Sequence, residues 1–121
     1  MDEFIWDVVT NNQEIKDFFK DSPRIYPNGI TRSDPKSPYI VWVNIHETPR
    51  FGISDKSLSS KHKVQFDIYA STGIQAKILG ELVEEAFRGK GIAALRLGPL
   101  PEAGTKLYRR TIDMSFILKG K

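Results

Sequence analysis

The chain contains no cysteine and only two histidines, His46 and His62, among its 121 residues. The lack of cysteine excludes disulfide bonds, thiolate catalysis and every metal site that needs a cysteine ligand. No stretch approaches the roughly 18 consecutive apolar residues of a membrane-spanning helix. The N-terminus opens with Asp2 and Glu3, where a secretory signal would carry basic residues. We therefore expect a chain that is made in the cytoplasm and is not exported.

The chain also lacks a strong excess of one charge. Its 18 lysines and arginines against 15 aspartates and glutamates give a formal net charge of +3. A dedicated nucleic-acid-binding domain usually has a denser basic stripe interleaved with aromatic side chains. The composition permits contact with an acidic partner but does not require one. The length is that of one domain, residues 1–121, with a single core.

Apolar spacing predicts helical structure near the N-terminus. Apolar residues recur at helical spacings over residues 2–20, and Asn11 followed by Glu14 resembles a capping box. The pattern fits either one helix or two short helices that meet near Asn11. A Ser-Pro pair ends the segment, residues 24–27 could form a short strand, and residues 28–38 are rich in turn formers.

The stretch 39–46 is apolar on nearly both faces, although a strand with one wet face should alternate apolar and polar residues. Ile40 and Trp42 point one way. The other face carries four apolar residues, Tyr39, Val41, Val43 and Ile45. We expect this larger set to pack beneath the helices. Ile40 and Trp42 would then need a second cover, either the N-terminal helix or a neighbouring subunit.

The remaining pattern predicts more strands and one further helix. Residues 62–71 and 106–119 alternate as strands do, and residues 47–60 are expected to form a flexible loop. A helix is predicted over residues 74–88, with Thr72 as its N-cap and Gly89 in a left-handed conformation at its C-terminus. A short strand near residues 94–97 and a Pro/Gly-rich loop follow.

The order of these elements favours an α+β fold. We expect a single domain in which two or three helices pack on a mostly antiparallel sheet of about four to five strands.

No group of residues indicates a catalytic or cofactor site. His46 and His62 flank the 47–60 loop and could form a metal site with Glu47 or Asp67, but the spacing matches no known metal motif. The chain has no Gly-x-Ser-x-Gly turn, and its Gly-Lys-Gly segment lacks the pattern of a phosphate-binding loop. We therefore predict no catalytic, cofactor-binding or metal-binding residues.

Other residues are candidates for a protein–protein interface. Arg109 and Arg110 fall on opposite faces of one strand, so one would lie in water and the other would need a carboxylate or a subunit boundary. The plainer alternative is one solvated arginine and one that snorkels. The 47–60 loop could be a solvated segment or could order against a partner. The complete set of candidates is Trp42, Arg50, Phe51, Lys56, Leu58, Lys61, Lys63, Arg109 and Arg110.

The order of several segments resembles one known family. An N-terminal helical segment is followed by "RIYP", a turn-rich gap and "SPYIVW", then by "KVQFDIYA", "AKILGELVEEAF" and "LYRRTIDMSF". In this order the chain resembles the tail terminator proteins of long-tailed bacteriophages and their prophages, also called tail completion or tail-to-head joining proteins. The likeness spans about Phe4 to Leu118. It consists of strand and helix patterns, so no functional residue can be transferred from it.

The resemblance implies an α+β subunit that assembles into a ring, hexameric in that family. Such a ring caps the completed tail tube, stops its polymerisation and offers a surface for the head connector. The implied partners are further copies of the chain, the tail tube protein and the connector, with at most weak contact to DNA passing through the lumen and no membrane. The resemblance implies neither an enzyme nor a cofactor. It places the protein at the head-proximal end of the tail in the virion.

Three alternatives stay open. Another head–tail connector or neck protein would be held together by physically similar contacts. A small nucleic-acid-binding module would bind DNA with an affinity that falls steeply with salt. A small enzyme would use His46, His62 and nearby acids.

Overall fold

Three helices lie against one face of a five-stranded sheet. The structure, a computed structural model, describes residues 2–20, 22–27, 37–51 and 58–119. The helices are α1 (Asp2–Thr10), α2 (Gln13–Phe19) and α3 (Gly73–Ala86). The strands are β1 (Ile25–Pro27), β2 (Tyr39–Phe51), β3 (Leu58–Ala70), β4 (Gly91–Pro101) and β5 (Tyr108–Lys119). The predicted α+β class is confirmed.

The sheet has the strand order β1-β2-β3-β5-β4. Only β1 and β2 pair in parallel; the other three pairs are antiparallel. The two long central strands, β3 and β5, are therefore flanked by β2 on one side and β4 on the other. Because cross-strand partners share a face of the sheet, the register determines which side chains meet the helices.

The core forms where one row of large apolar side chains crosses the sheet. Trp42 pairs with Phe66, and Phe66 pairs with Ile112. All three belong to the buried cluster that also contains residues of each helix, among them Ile5 from α1 and Leu79 from α3. Phe87, just beyond α3, lies between the rings of Phe4, Phe66 and Phe116, with centroids 5.2 to 5.8 Å away.

The expected orientation of β2 was wrong. Ile40 and Trp42 face the helices and are fully buried or nearly so, whereas Tyr39, Val41 and Val43 lie on the opposite face. Ile45 falls at a register shift and has no cross-strand partner among the described residues. The physical reason lies in the neighbouring strand: Ile40 pairs with Ile68 and Trp42 with Phe66, which are both core residues of β3. A strand takes its inward face from its partners, so the number of apolar residues on each face of β2 alone did not decide it.

The helix ends follow capping chemistry. The N-terminal segment forms two helices, and the N-cap of α2 is Asn12, not the predicted Asn11; its side chain accepts a hydrogen bond from the Ile15 N–H at 2.9 Å. Thr72 caps α3 as predicted, accepting from the Gln75 N–H at 3.1 Å. Gly89 has the predicted positive φ, +79°. Across the described ranges, none of the helices has the length and apolarity to cross a membrane.

Two strand boundaries differ from the sequence prediction. The expected 47–60 loop is shorter, because β2 continues to Phe51 and β3 starts at Leu58, where these two residues pair. Residues 52–57 lie outside the described residues. The strand expected near 94–97 runs from Gly91 to Pro101. Pairing with β5 continues past two register shifts in β4, so the segment expected to be a Pro/Gly-rich loop begins as strand.

The two tryptophans provide a matched test of this packing. Trp42 is 3% exposed and Trp6, on α1, is 51% exposed. We expect Trp42→Ala to lower the free energy of unfolding by about 3–5 kcal/mol, because it removes a large side chain from the core. Trp6→Ala should change it by under about 1 kcal/mol. Urea unfolding of both variants measures the difference; equal losses would contradict the assigned burial of Trp42.

Candidate protein interface

The sheet surface that faces away from the helices has no helix over it among the described residues. We call this surface the open face. Two rows of cross-strand partners cross its middle over β2, β3, β5 and β4. The first row is Val41, Asp67, Thr111 and Leu97, and the second is Val43, Gln65, Asp113 and Leu95. Each row thus has polar residues at its centre and apolar residues at its ends.

Strand β4 contributes an exposed apolar ridge to the open face. We call Ile92, Leu95, Leu97 and Leu100 the β4 ridge; they pair with open-face residues of β5 and are each between 46% and 74% exposed. Ile117 of β5 is exposed on the same face, next to Ile92. Single exposed apolar residues are ordinary, but a contiguous row is typical of an interaction surface.

The centre of the open face is a cluster of buried polar side chains. Asp67 accepts two hydrogen bonds, one from Thr111 Oγ1 to Oδ1 at 2.7 Å and one from Gln65 Nε2 to Oδ2 at 3.0 Å. Asp113 is 7% exposed, and its Oδ1 has no hydrogen-bond partner within the described part of the chain. An acceptor that is removed from water without a donor lowers stability, so Asp113 is the one unsatisfied group of this centre.

Tyrosines and a charged pair occupy one end of the open face. The rings of Tyr39 and Tyr69 stack with centroids 4.9 Å apart. Arg109 forms an ion pair with Glu102, with 3.3 Å between Nε and Oε2. Burial, and then the negative charge of neighbours, raises the pKa of Tyr69 above its usual value of 10.0, and burial likewise raises the pKa of Tyr39. This end of the face is held together by its own contacts.

The opposite end of the open face is basic. Lys61 and Lys63 are both exposed and lie on the open-face positions of β3, opposite Ile117 and Ser115 of β5. The structure therefore brings three sequence-predicted interface residues to one surface: Lys61, Lys63 and Arg109. Arg50, Phe51 and Leu58 lie on the paired ends of β2 and β3, and Lys56 is outside the described residues.

Trp42 and Arg110 lie on the helix-covered face instead. Trp42 is covered within its own chain, so the expectation of a subunit boundary at this residue is not needed. Arg110 donates through Nη1 to the carbonyl oxygen of Gly98, while its buried Nε has no partner among the described residues. Its aliphatic stem packs closely against α3, since a Cβ added at Gly80 would lie 3.0 Å from Arg110 Cγ. Of the two arginines, Arg109 is therefore the more exposed, and Arg110 is the one that packs against other side chains.

The structure excludes one version of the hypothetical metal site, the one in which Asp67 joins the two histidines. His62 is buried on the helix-covered face, where its Nδ1 lies 3.2 Å from Asn44 Nδ2. Asp67 is five residues further along β3, hence on the opposite face of the sheet, and cannot join His62 in one site. Within the described ranges, no three His, Cys, Asp or Glu side chains are close enough to hold a metal ion.

The sequence patterns missed the β4 ridge and the role of Asp113. The alternation of Leu95 and Leu97 was the available signal, but the short predicted strand hid the length of the ridge. The burial of Asp113 depends on its neighbours across the sheet and has no local signal. No protein-family model matches the chain, and no curated protein sequence matches it at a significant level.

The two buried aspartates give a matched test of the polar centre. Asp113→Asn removes the charge from a carboxylate that lacks a donor, and we expect it to raise the free energy of unfolding by about 1–2 kcal/mol. Asp67→Asn replaces an acceptor of two hydrogen bonds and should lower it by about 1–2 kcal/mol. Urea unfolding at neutral pH compares them. A large loss with Asp113→Asn would mean that this carboxylate already has a partner.

The tyrosine pair predicts a dependence of stability on alkaline pH. Since the folded-state pKa values of Tyr39 and Tyr69 are raised, their contribution to stability is fully present below the unfolded value of about 10. The contribution is lost as the pH rises from about 10 through the folded pKa values, because the unfolded chain ionises first. Urea unfolding from pH 8 to 11 should show this fall, and Tyr69→Phe should reduce it. An equal fall in the variant would exclude Tyr69 as a source.

Proposed function

We propose that this chain is a ring-forming structural protein of bacteriophage tails, a tail terminator that caps the completed tail tube and offers a surface to the head connector. The observation that carries the proposal is the open face, where the exposed β4 ridge borders a buried polar centre. The order of segments along the chain, which resembles that family, supplies the assignment to tails.

A closed ring requires two different surfaces on each subunit, because its contacts are heterologous. The chain offers a sheet face on one side and a helical layer on the other, so neighbouring subunits can meet through unlike surfaces. In a monomer the β4 ridge would lie in water. Covering it would contribute a favourable free energy of about 25 cal/mol for each Å² of apolar area buried. The proposed ring supplies a cover for it.

The irregular register of the edge strand β4 favours contacts through the face of the sheet over the addition of a strand at its edge. A straight edge strand would invite pairing with further chains and open-ended growth. Here the register of β4 shifts twice, between Ala93 and Leu95 and between Leu97 and Leu100, and Pro99 lacks the N–H that a new strand would need. These features discourage strand addition at this edge and favour an assembly that closes.

The proposed partners follow from this role. They are further copies of the chain, six in a ring as the resemblance implies, together with the tail tube protein and the head–tail connector. In this proposal the protein lies at the head-proximal end of the tail in the virion. DNA passing through the lumen would make at most weak contact, in keeping with the small net charge of +3. Neither catalysis nor a cofactor is part of the proposed role.

Assembly can be tested directly by light scattering and electron microscopy, on the protein alone and after addition to purified tail tubes. We expect rings in at least one of the two conditions. Leu97→Lys should reduce assembly at least tenfold while leaving the fold intact, because it places a charge on the β4 ridge. Ile74→Lys, at an exposed apolar position of α3, is the matched control and should assemble as the wild type does.

The outcomes separate the alternatives. A chain that is monomeric at high concentration and also fails to add to tail tubes would refute the terminator role. Rings that bind a connector but not the tube would indicate the neighbouring role of a neck protein. Binding to DNA that falls steeply between 50 and 200 mM salt, without rings, would indicate the nucleic-acid module.

A further inference from the structure

The open face carries a charge that limits what can cover it. A two-fold contact between two open faces would bring the buried carboxylates of Asp67 and Asp113 near their own copies. Like charges placed together away from water are strongly unfavourable. Asp113 is 7% exposed and its Oδ1 has no donor within the described residues, so an apolar cover would also remove what contact with water this carboxylate retains. The surface that covers the open face should therefore combine apolar area with a cation.

We propose that the open face binds the α1–α2 surface of a second copy of the chain, with Lys16 and Lys20 placed against the carboxylate of Asp113. The proposal rests on the ring proposed above and names the two surfaces that would meet in it. The α1–α2 surface is a cleft of about 590 Å³ whose lining includes Trp6, Gln13, Lys16, Asp17, Lys20 and Pro23.

The cleft has the two properties that the open face demands. Trp6 is 51% exposed and provides apolar area at its wall. Lys16 and Lys20 are exposed at the same cleft. The carboxylate of Asp17 accepts a hydrogen bond from Gln13 Nε2 at 2.8 Å, so two cations and one anion line the cleft. The cleft is thus complementary in charge to the centre of the open face.

The other exposed apolar area of the helical layer does not match. Ile74 and Ile78 of α3 are exposed, but the charged side chains of this helix are one lysine, Lys77, and three glutamates. Two of these glutamates are already engaged: Glu84 with Arg96 at 2.8 Å and Glu85 with Arg88 at 2.7 Å. The arginines beside α3 are thus already paired with its glutamates, so this surface offers Asp113 fewer available cations than the cleft does.

The relative positions of the groups also fit one contact. Leu95 of the β4 ridge pairs directly with Asp113, so their side chains are neighbours on the open face. Trp6 and Lys16 line one cleft. Leucines of the ridge can therefore pack against Trp6 while a lysine reaches the carboxylate. Each subunit then uses its open face on one neighbour and its cleft on the other, which is the head-to-tail contact that a ring requires.

Cysteine cross-linking tests the contact on the whole chain, which has no cysteine of its own. Leu97→Cys marks the open face and Gln13→Cys marks the cleft without removing either lysine. After assembly and oxidation, the double variant should give a ladder of covalent multimers on a non-reducing gel, and neither single variant should. Dimers from Leu97→Cys alone would overturn the proposal in favour of face-to-face pairing. Rings of the double variant without cross-links would also overturn it.

Charge substitution tests the role of the lysines. The Lys16→Glu/Lys20→Glu variant should weaken assembly at least tenfold, whereas Lys77→Glu, the reversal of one exposed lysine on α3, should not. Circular dichroism and urea unfolding establish that each variant folds. In an Asp113→Asn background the two lysine substitutions should have a smaller effect, since the proposed partner has lost its charge. Unchanged assembly of the Lys16→Glu/Lys20→Glu variant would overturn the contact.

The two proposals fail in different ways. A wild-type chain that stays monomeric with and without tail tubes refutes the ring and this contact together. Rings that form normally in the charge variant, or that cross-link only through Leu97→Cys, leave the ring intact and refute only the pairing of the open face with the α1–α2 cleft.

Discussion

The row of cross-strand partners Trp42, Phe66 and Ile112 determines the rest of the molecule. Once these three side chains meet under the helices, every alternate residue of β2, β3 and β5 is directed to the other side of the sheet. That second side receives Asp67 and Asp113. The same register that builds the core therefore also creates an uncovered surface with buried carboxylates at its centre, so the open face is a direct result of the packing.

Much of the fold could be predicted from local pattern. The Thr72 cap, the left-handed Gly89 and the alternation of residues 62–71 each depend on chemistry within a few residues, and each was confirmed. The orientation of β2 could not be predicted in this way. Both of its faces are apolar, so the choice belongs to β3, whose pairing is a long-range contact. The extra length of β4 has the same cause, because pairing with β5 extends it through two irregular positions.

The candidate site was less predictable than the fold. Lys61 and Lys63 were named from the sequence as basic residues of the loop segment that ends at residue 63, and Arg109 as one of two adjacent arginines on opposite faces of a strand. The register places all three on the open face. The central residues had no such signal. Asp113 reads as an ordinary outward position of an alternating strand, and its burial arises only when Gln65 and Leu95 flank it on both sides. The missing donor at Asp113 therefore depends on the pairing of three strands, β3, β5 and β4.

The polar centre is better explained by selectivity than by stability. A sheet face covered by apolar residues alone would bind any apolar surface, including its own copy, whereas a carboxylate without a donor rejects every cover that brings no cation. The unfavourable free energy of this carboxylate destabilises the free subunit, and in the proposed contact the lysines of the correct partner reduce it. In the proposed ring, this makes unlike surfaces meet and like surfaces repel, so the subunits add in one direction around the ring. In this proposal, Asp113 links the register of the core to the direction of assembly.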